Sequence, residues 1–153
     1  MRMHPTRRWS RRIAAAALAI VAVATTTGVS ACSSSTSAGS TTSPATGQHV
    51  AASDFSTAMK ASGTIVLDVR TPAEYASGHL PAAQNIDIEA PDFATRIAAL
   101  DKAATYAVYC HSGNRSGTAL EQMSAAGFTH VYDLAGGIGA WQEMGGPMAM
   151  GGS

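Results

Sequence analysis

Two apolar runs in this chain each end where a helix begins. Thr64-Ile65-Val66-Leu67-Asp68-Val69 is a largely apolar stretch with a polar residue, Asp68, near its end, the pattern of a strand buried on both faces. Thr71-Pro72-Ala73-Glu74 follows at once and reads as a capping box with proline at the first helical position. Its helix is short and stops near Gly78. Tyr106 to Tyr109 is the second run, and it leads through Cys110 into a helix-like stretch from Ser116 to Ala126. Strands alternating with helices imply an α/β domain, a central parallel sheet flanked by helices.

The other elements are shorter. Ser53 reads as an N-cap for a helix over Asp54 to Ala61, with Phe55, Ala58 and Met59 on one face. Ala83 to Ile86 is a strand candidate. Pro91 opens a helix with Phe93, Ile97 and Leu100 inward. Val131 to Asp133 is a last strand and Ile138 to Met144 a last helix. The folded domain is expected over 48–146. Residues 147–153, rich in Gly and Met, read as a flexible tail.

In open α/β sheets, ligands bind beyond the carboxyl ends of the strands. Cys110 lies at such an end and opens the run Cys110-His111-Ser112-Gly113-Asn114-Arg115-Ser116. A cysteine between a strand and a helix sits among backbone N–H groups that lack intrahelical partners. Those donors and the helix dipole favour an anion, so a nucleophilic thiolate in an amide cradle is expected. The Gly, Ser and Asn content of the loop suits anion binding better than core packing. The thiol is expected to lie exposed on the loop and to add little packing.

The first 31 residues carry a different signal. Arg2, Arg7, Arg8, Arg11 and Arg12 form a basic n-region, and Ile13 to Ala24 is an apolar run too short to span a bilayer comfortably. Residues 1–31 read as a lipoprotein-type signal peptide, since Val29-Ser30-Ala31-Cys32 resembles a bacterial lipobox. Cys32 is then the lipidation site. Residues 32–47 form a Ser- and Thr-rich tether. The two arginine pairs are compatible with either general or twin-arginine export. The expected location is the outer face of the cell membrane, held through the lipid alone.

Without the leader, the basic side chains are Lys60, Arg70, Arg96, Lys102 and Arg115 against ten acidic ones, a formal charge of −5. That balance argues against a nucleic-acid partner. Anionic substrates must be drawn in by local donors. With Cys32 lipidated, Cys110 has no partner in the chain, and a lone thiol in an exported domain is a candidate reactive group. The histidines show no ligand spacing, so no metal and no cofactor are expected.

Three segments, covering nearly all of Val50 to Met144, resemble the rhodanese (sulfurtransferase) family. Leu67-Asp68-Val69-Arg70-Thr71-Pro72-Ala73-Glu74-Tyr75, followed by Gly78-His79-Leu80-Pro81-Ala82-Ala83-Gln84-Asn85-Ile86, is similar to the family's D-V-R-x-x-x-E-Y-x-x-G-H-I-x-G-A-x-N-I. Cys110 to Ser116 is similar to C-x-x-G-x-R-S. Leu134-Ala135-Gly136-Gly137-Ile138-Gly139-Ala140-Trp141 is similar to L-x-G-G-x-x-x-W. The resemblance implies a single rhodanese-like domain that moves sulfane sulfur, from a donor such as thiosulfate to a thiophilic acceptor, through a persulfide on Cys110. It implies that the backbone of His111, Ser112, Gly113, Asn114, Arg115 and Ser116 cradles the outer sulfur. Arg115 would hold the anionic donor or orient the loop, and Asp68 and Arg70 would brace the sheet. The implied partners are small sulfur-containing anions and thiol acceptors, and a monomer is expected.

Some members carry basic residues just after the cysteine. His111 and Ser112 stand there in this chain, which leaves the substrate open. Two alternatives stay open with it. One is a non-catalytic, sulfide-binding or redox-sensing module. The other is phosphatase or arsenate-reductase chemistry, whose loops place five residues between cysteine and arginine where this chain has four, His111 to Asn114. His111 reads as a solvent-facing loop residue more readily than as a base. Ser116 reads as a helix N-cap before it reads as a sulfur ligand. His79 reads as a structural hydrogen-bonder.

Overall fold

The computed structural model describes residues 43–151. The signal-peptide reading over residues 1–31, the lipidation site Cys32 and the first part of the tether lie outside them. The elements run β1 (Gln48–Val50), α1 (Ala52–Ala58), β2 (Thr64–Asp68), α2 (Pro72–Ala76), β3 (Gln84–Asn85), α3 (Phe93–Ala98), β4 (Thr105–Tyr109), α4 (Asn114–Ala125), β5 (Val131–Leu134) and α5 (Gly137–Glu143). The five strands form one sheet in the order β1-β5-β4-β2-β3, and every pairing is parallel. Among the described residues no helix is long and apolar enough to cross a membrane.

Alternation along the central strands makes two cores, one on each face of the sheet. Leu67, Tyr106, Val108 and Val131 pack with Leu120 and Met123 of α4 and with Phe93 and Ile97 of α3. Val66, Ala107, Tyr109 and Tyr132 pack on the other face with Phe55 of α1 and with Ile138 and Trp141 of α5. Phe55 meets the Tyr132 and Trp141 rings edge-on. Strand order reverses between β4 and β2, so the carboxyl ends of these two neighbours flank the sheet's switch point.

Several boundaries differ from the sequence reading for identifiable reasons. Helix α1 begins at Ala52 after Ala51, which makes no side-chain cap, so Ser53 is already inside the helix. Helix α4 begins at Asn114, because Gly113 turns the chain with φ 97°. Ser116 is therefore not the N-cap but a buried residue of the first turn. Strand β1 had no apolar run to announce it: Gln48 and His49 are exposed, and the strand pairs with β5 in parallel register.

The stretch after α5 is not a loose tail over its described part. Trp141 Nε1 donates to Pro147 O at 2.9 Å, and His79 and Ala149 exchange two backbone hydrogen bonds at 2.8 and 2.9 Å. These residues lie on the domain as a strap, with Met148 packed against the α5 side of the core.

Candidate active site

Cys110 is the first residue after β4, and it continues the facing of Tyr106 and Val108 into the core. It is 0% exposed, which corrects the expectation of an exposed loop thiol. The strand's alternation carries the side chain inward before the loop begins. Its Sγ accepts the Gly113 N–H at 3.1 Å. The first amide of α4 to close on the helix is Gly117 N, onto Gly113 O at 2.9 Å. Among the described residues, the amides of Asn114, Arg115 and Ser116 ahead of it donate to no protein acceptor. The sulfur thus lies beneath the N-terminus of a twelve-residue helix.

Two glycines permit this geometry. A Cβ on Gly113 would add strain at φ 97° and sit 3.2 Å from Gly136 N. A Cβ on Gly137 would lie 2.6 Å from the carbonyl oxygens of Cys110 and His111. The β5–α5 turn therefore rests directly on the cysteine loop, and Ile138 N–H donates to Cys110 O at 2.8 Å. This contact gives the Gly136-Gly137 pair its physical role.

Arg115 does not reach free into the site. Its guanidinium forks onto Glu74, with Glu89 Oε2 at 3.5 Å. Glu74 also receives the Thr71 backbone N–H and hydroxyl, so one carboxylate caps α2 and anchors the cysteine loop. The Arg115 hydrogen bonds hold the Glu74 carboxyl down to about 2, against partial burial and with help from Thr71. Glu74 in turn raises the Arg115 guanidinium, which is also drawn by Glu89 and by the Cys110 sulfur. Of the two roles the resemblance allowed Arg115, the geometry favours orienting the loop.

A second polar chain lies under the loop. The buried Ser116 hydroxyl lies 2.7 Å from Asp133 Oδ2 and 3.0 Å from Gly113 O. Asp133 Oδ1 lies 2.6 Å from Nδ1 of the exposed His49. Burial pushes the Asp133 carboxyl up, offset in part by its bonds to Ser116 and His49. Neither this chain nor the Glu74–Arg115 pair was visible in local spacing, since the partners are 17 to 84 residues apart.

The remaining residues fall as follows. His111, Ser112 and Asn114 are exposed around the loop, and among the described residues the His111 ring makes no hydrogen bond to Cys110. Asp68 and Arg70 are buried and paired, Nη2 to Oδ2 at 2.6 Å, with the Tyr109 hydroxyl donating to the same carboxylate oxygen at 2.6 Å. They brace β2 against β4, beside the loop. His79 stacks on Tyr75, and its Nδ1 lies 3.0 Å from Tyr75 O. Among the described residues, no three His, Cys, Asp or Glu side chains gather as a metal site.

A parallel sheet with this order, a buried cysteine under α4 and a glycine pair bracing its loop define a rhodanese-like domain. The chain belongs to that family, whose pattern it matches over residues 51–144. It is 37% identical over 86 residues to the thiosulfate sulfurtransferase GlpE of Pseudomonas fluorescens strain SBW25, a match that spans 56% of this chain and 76% of that protein. A second GlpE, from Pseudomonas paraeruginosa, is 37% identical over 87 residues, spanning 56% and 76%. Among solved structures, a rhodanese-related protein from Thermoplasma volcanium superposes with a TM-score of 0.61 at 34% identity, covering 67% of this chain and 98% of that one. The rhodanese-like domain of an Anabaena sp. protein gives 0.60 at 30% identity, covering 67% and 78%.

Proposed function

We propose that this domain is a sulfurtransferase that carries sulfane sulfur as a persulfide on Cys110. The observation that carries the reading is the position of Sγ, 3.1 Å from the Gly113 amide and beneath the open N–H groups of α4. That setting favours negative charge on sulfur, both on the attacking thiolate and on the terminal sulfur of a persulfide. The GlpE relatives, named as thiosulfate sulfurtransferases, support thiosulfate as the donor.

The chemistry closes without a cofactor. The Cys110 thiolate attacks the outer sulfur of thiosulfate. The S–S bond of the donor breaks, its electron pair leaves with sulfite, and Cys110 keeps the sulfane sulfur. Cyanide or a thiolate then attacks that outer sulfur, and the electron pair of the persulfide bond returns to Cys110. The loop amides lower the cost of charge on the transferred and departing groups. Arg115, held by Glu74, fixes the helix turn that presents those amides. Four residues between Cys110 and Arg115 make a cradle one residue shorter than a phosphatase loop, which supports sulfur over a phosphate ester.

The leader-like segment and Cys32 support an exported domain tethered by lipid to the outer face of the membrane. The direct test of the chemistry is intact-mass spectrometry after thiosulfate treatment. A gain of one sulfur, removed by cyanide and absent in Cys110→Ser, is the expected result. Wild type that never gains sulfur from thiosulfate or another sulfane donor would contradict the reading.

A further inference from the structure

The strap after α5 is held at every second residue. Pro147 O accepts the Trp141 indole N–H at 2.9 Å, Ala149 exchanges two backbone hydrogen bonds with His79, and the Gly151 N–H donates to Ala76 O at 3.4 Å. Between these anchors stand Met148 and Met150. Alternation about the bridged Ala149 turns both side chains to the same side. Both reach Gly78, where a Cβ would stand 3.3 Å from Met148 Cε and 3.3 Å from Met150 Sδ. Two thioethers thus converge on a position that carries no side chain of its own. Core packing does not account for Met150, which is 74% exposed.

An imidazole shares the place. His111, Gly78 and Met148 line one open cavity of about 300 Å³. His111 is exposed, and unlike the rings of His49 and His79 its ring has no hydrogen-bond partner among the described residues. The charges that border the cavity are already committed. Arg70 is paired with Asp68 and donates to Gly78 O, and Glu74 is paired with Arg115. No uncommitted carboxylate among the lining residues is left to balance a divalent ion, and hard cations require oxygen ligands. Thioethers are soft donors, and together with imidazole they select a soft ion of low charge. They lie outside the His, Cys, Asp and Glu groups that gather no metal site among the described residues.

We propose that Met148, Met150 and His111 form a binding site for a soft monovalent cation of the Cu(I) class. The two Sδ atoms are the ligands held ready by the strap, and the His111 imidazole supplies the third from the same cavity. The site makes no use of Cys110 and is independent of sulfur transfer. It gives the ordered strap a role that its packing alone does not explain.

Silver(I) is the probe, since it shares the charge and softness of Cu(I) and needs no reductant. It is titrated into the full chain carrying Cys32→Ser and Cys110→Ser, so that neither thiol competes. Methionine methyl and histidine ring signals are followed by NMR. One equivalent should shift Met148, Met150 and His111 and leave Met59 and Met123 in place. Replacing both strap methionines, Met148→Leu with Met150→Leu, keeps the apolar bulk and removes both sulfurs. This change, and separately His111→Ala, should weaken silver binding by about tenfold or more. Shifts confined to other residues, or unchanged affinity in the folded double variant or in folded His111→Ala, would overturn the proposal. If the double variant does not fold, Met150→Leu at its exposed position decides instead: weaker binding by about tenfold supports the site, and unchanged affinity overturns it.

Discussion

Arg115 Nη2 donates to Glu74 Oε1 at 2.7 Å and Nη1 to Oε2 at 2.9 Å, a forked pair that ties the first turn of α4 to the first turn of α2. Both residues are about a quarter to a third exposed, so the pair is screened but held by geometry. The arginine that closes the cysteine loop is thus a strut between two helix N-termini. Its charge is shared with a carboxylate before any donor arrives.

Glu74→Ala removes the carboxylate half of the α2 capping box and frees Arg115 together, while the Thr71 cap on the backbone N–H of residue 74 remains. Urea unfolding should show a loss of about 1–2 kcal/mol. Sulfur transfer should fall more steeply than stability, because the turn that presents the loop amides loses its strut. Arg115→Lys should behave similarly, since an ammonium cannot fork onto a carboxylate. A Glu74→Ala protein with wild-type turnover would argue that the strut does not matter.

The same pair sets an acid dependence. Glu74 titrates near 2 in the fold against an ordinary value of 4.5. Its contribution is therefore complete above about 4.5 and is lost as pH falls from there towards 2. Asp133 has the opposite sign: burial raises its pKa, so the fold gives up stability there as pH rises through and above the ordinary carboxylate range. Unfolding free energies of wild type, Glu74→Gln and Asp133→Asn from pH 2.5 to 7 should separate the two. Glu74→Gln should flatten the acid limb. Asp133→Asn should cost less at pH 7 than Asp133→Ala, which strands Ser116 and empties a buried site at a cost of about 2–4 kcal/mol.

Much of this site was legible locally. The run to Val69, the capping box at Thr71 and the strand before Cys110 each carry their signal within a few residues, and α2, β2 and β4 follow them closely. Cys110 was marked as the reactive residue by its place between strand and helix. Its burial was misjudged because the loop's polar composition concealed that the cysteine still obeys the strand's alternation. The Glu74–Arg115 fork, the Ser116–Asp133–His49 chain and the strap depend on contacts between distant segments. Residues 147–150 look featureless in composition, yet a single indole and one bridge to His79 position them.

The anchor proposal has its own test. Cells expressing the full chain should incorporate a fatty-acid probe into the protein and keep it in the membrane fraction, and Cys32→Ser should release it unlabelled. Wild type that is never labelled would remove the anchor from the account.

Loop length supplies another. The unmodified protein should show no robust turnover of phosphate esters, because its loop is one residue shorter than a phosphatase cradle. Inserting a glycine between Cys110 and Arg115 should reduce sulfur transfer by displacing Arg115 from Glu74. Sustained phosphatase turnover by wild type would contradict the assignment of the cradle to sulfur.

The central claim is that Cys110 carries the sulfur. Because the residue is buried, Cys110→Ala should cost about 1 kcal/mol or more in packing, and Cys110→Ser is the closer match in size. The most direct measurement is thiocyanate formation from thiosulfate and cyanide by wild type and Cys110→Ser, with folding checked by circular dichroism. The account predicts turnover in wild type and none above background in a folded Cys110→Ser. Equal rates in the two proteins would contradict it.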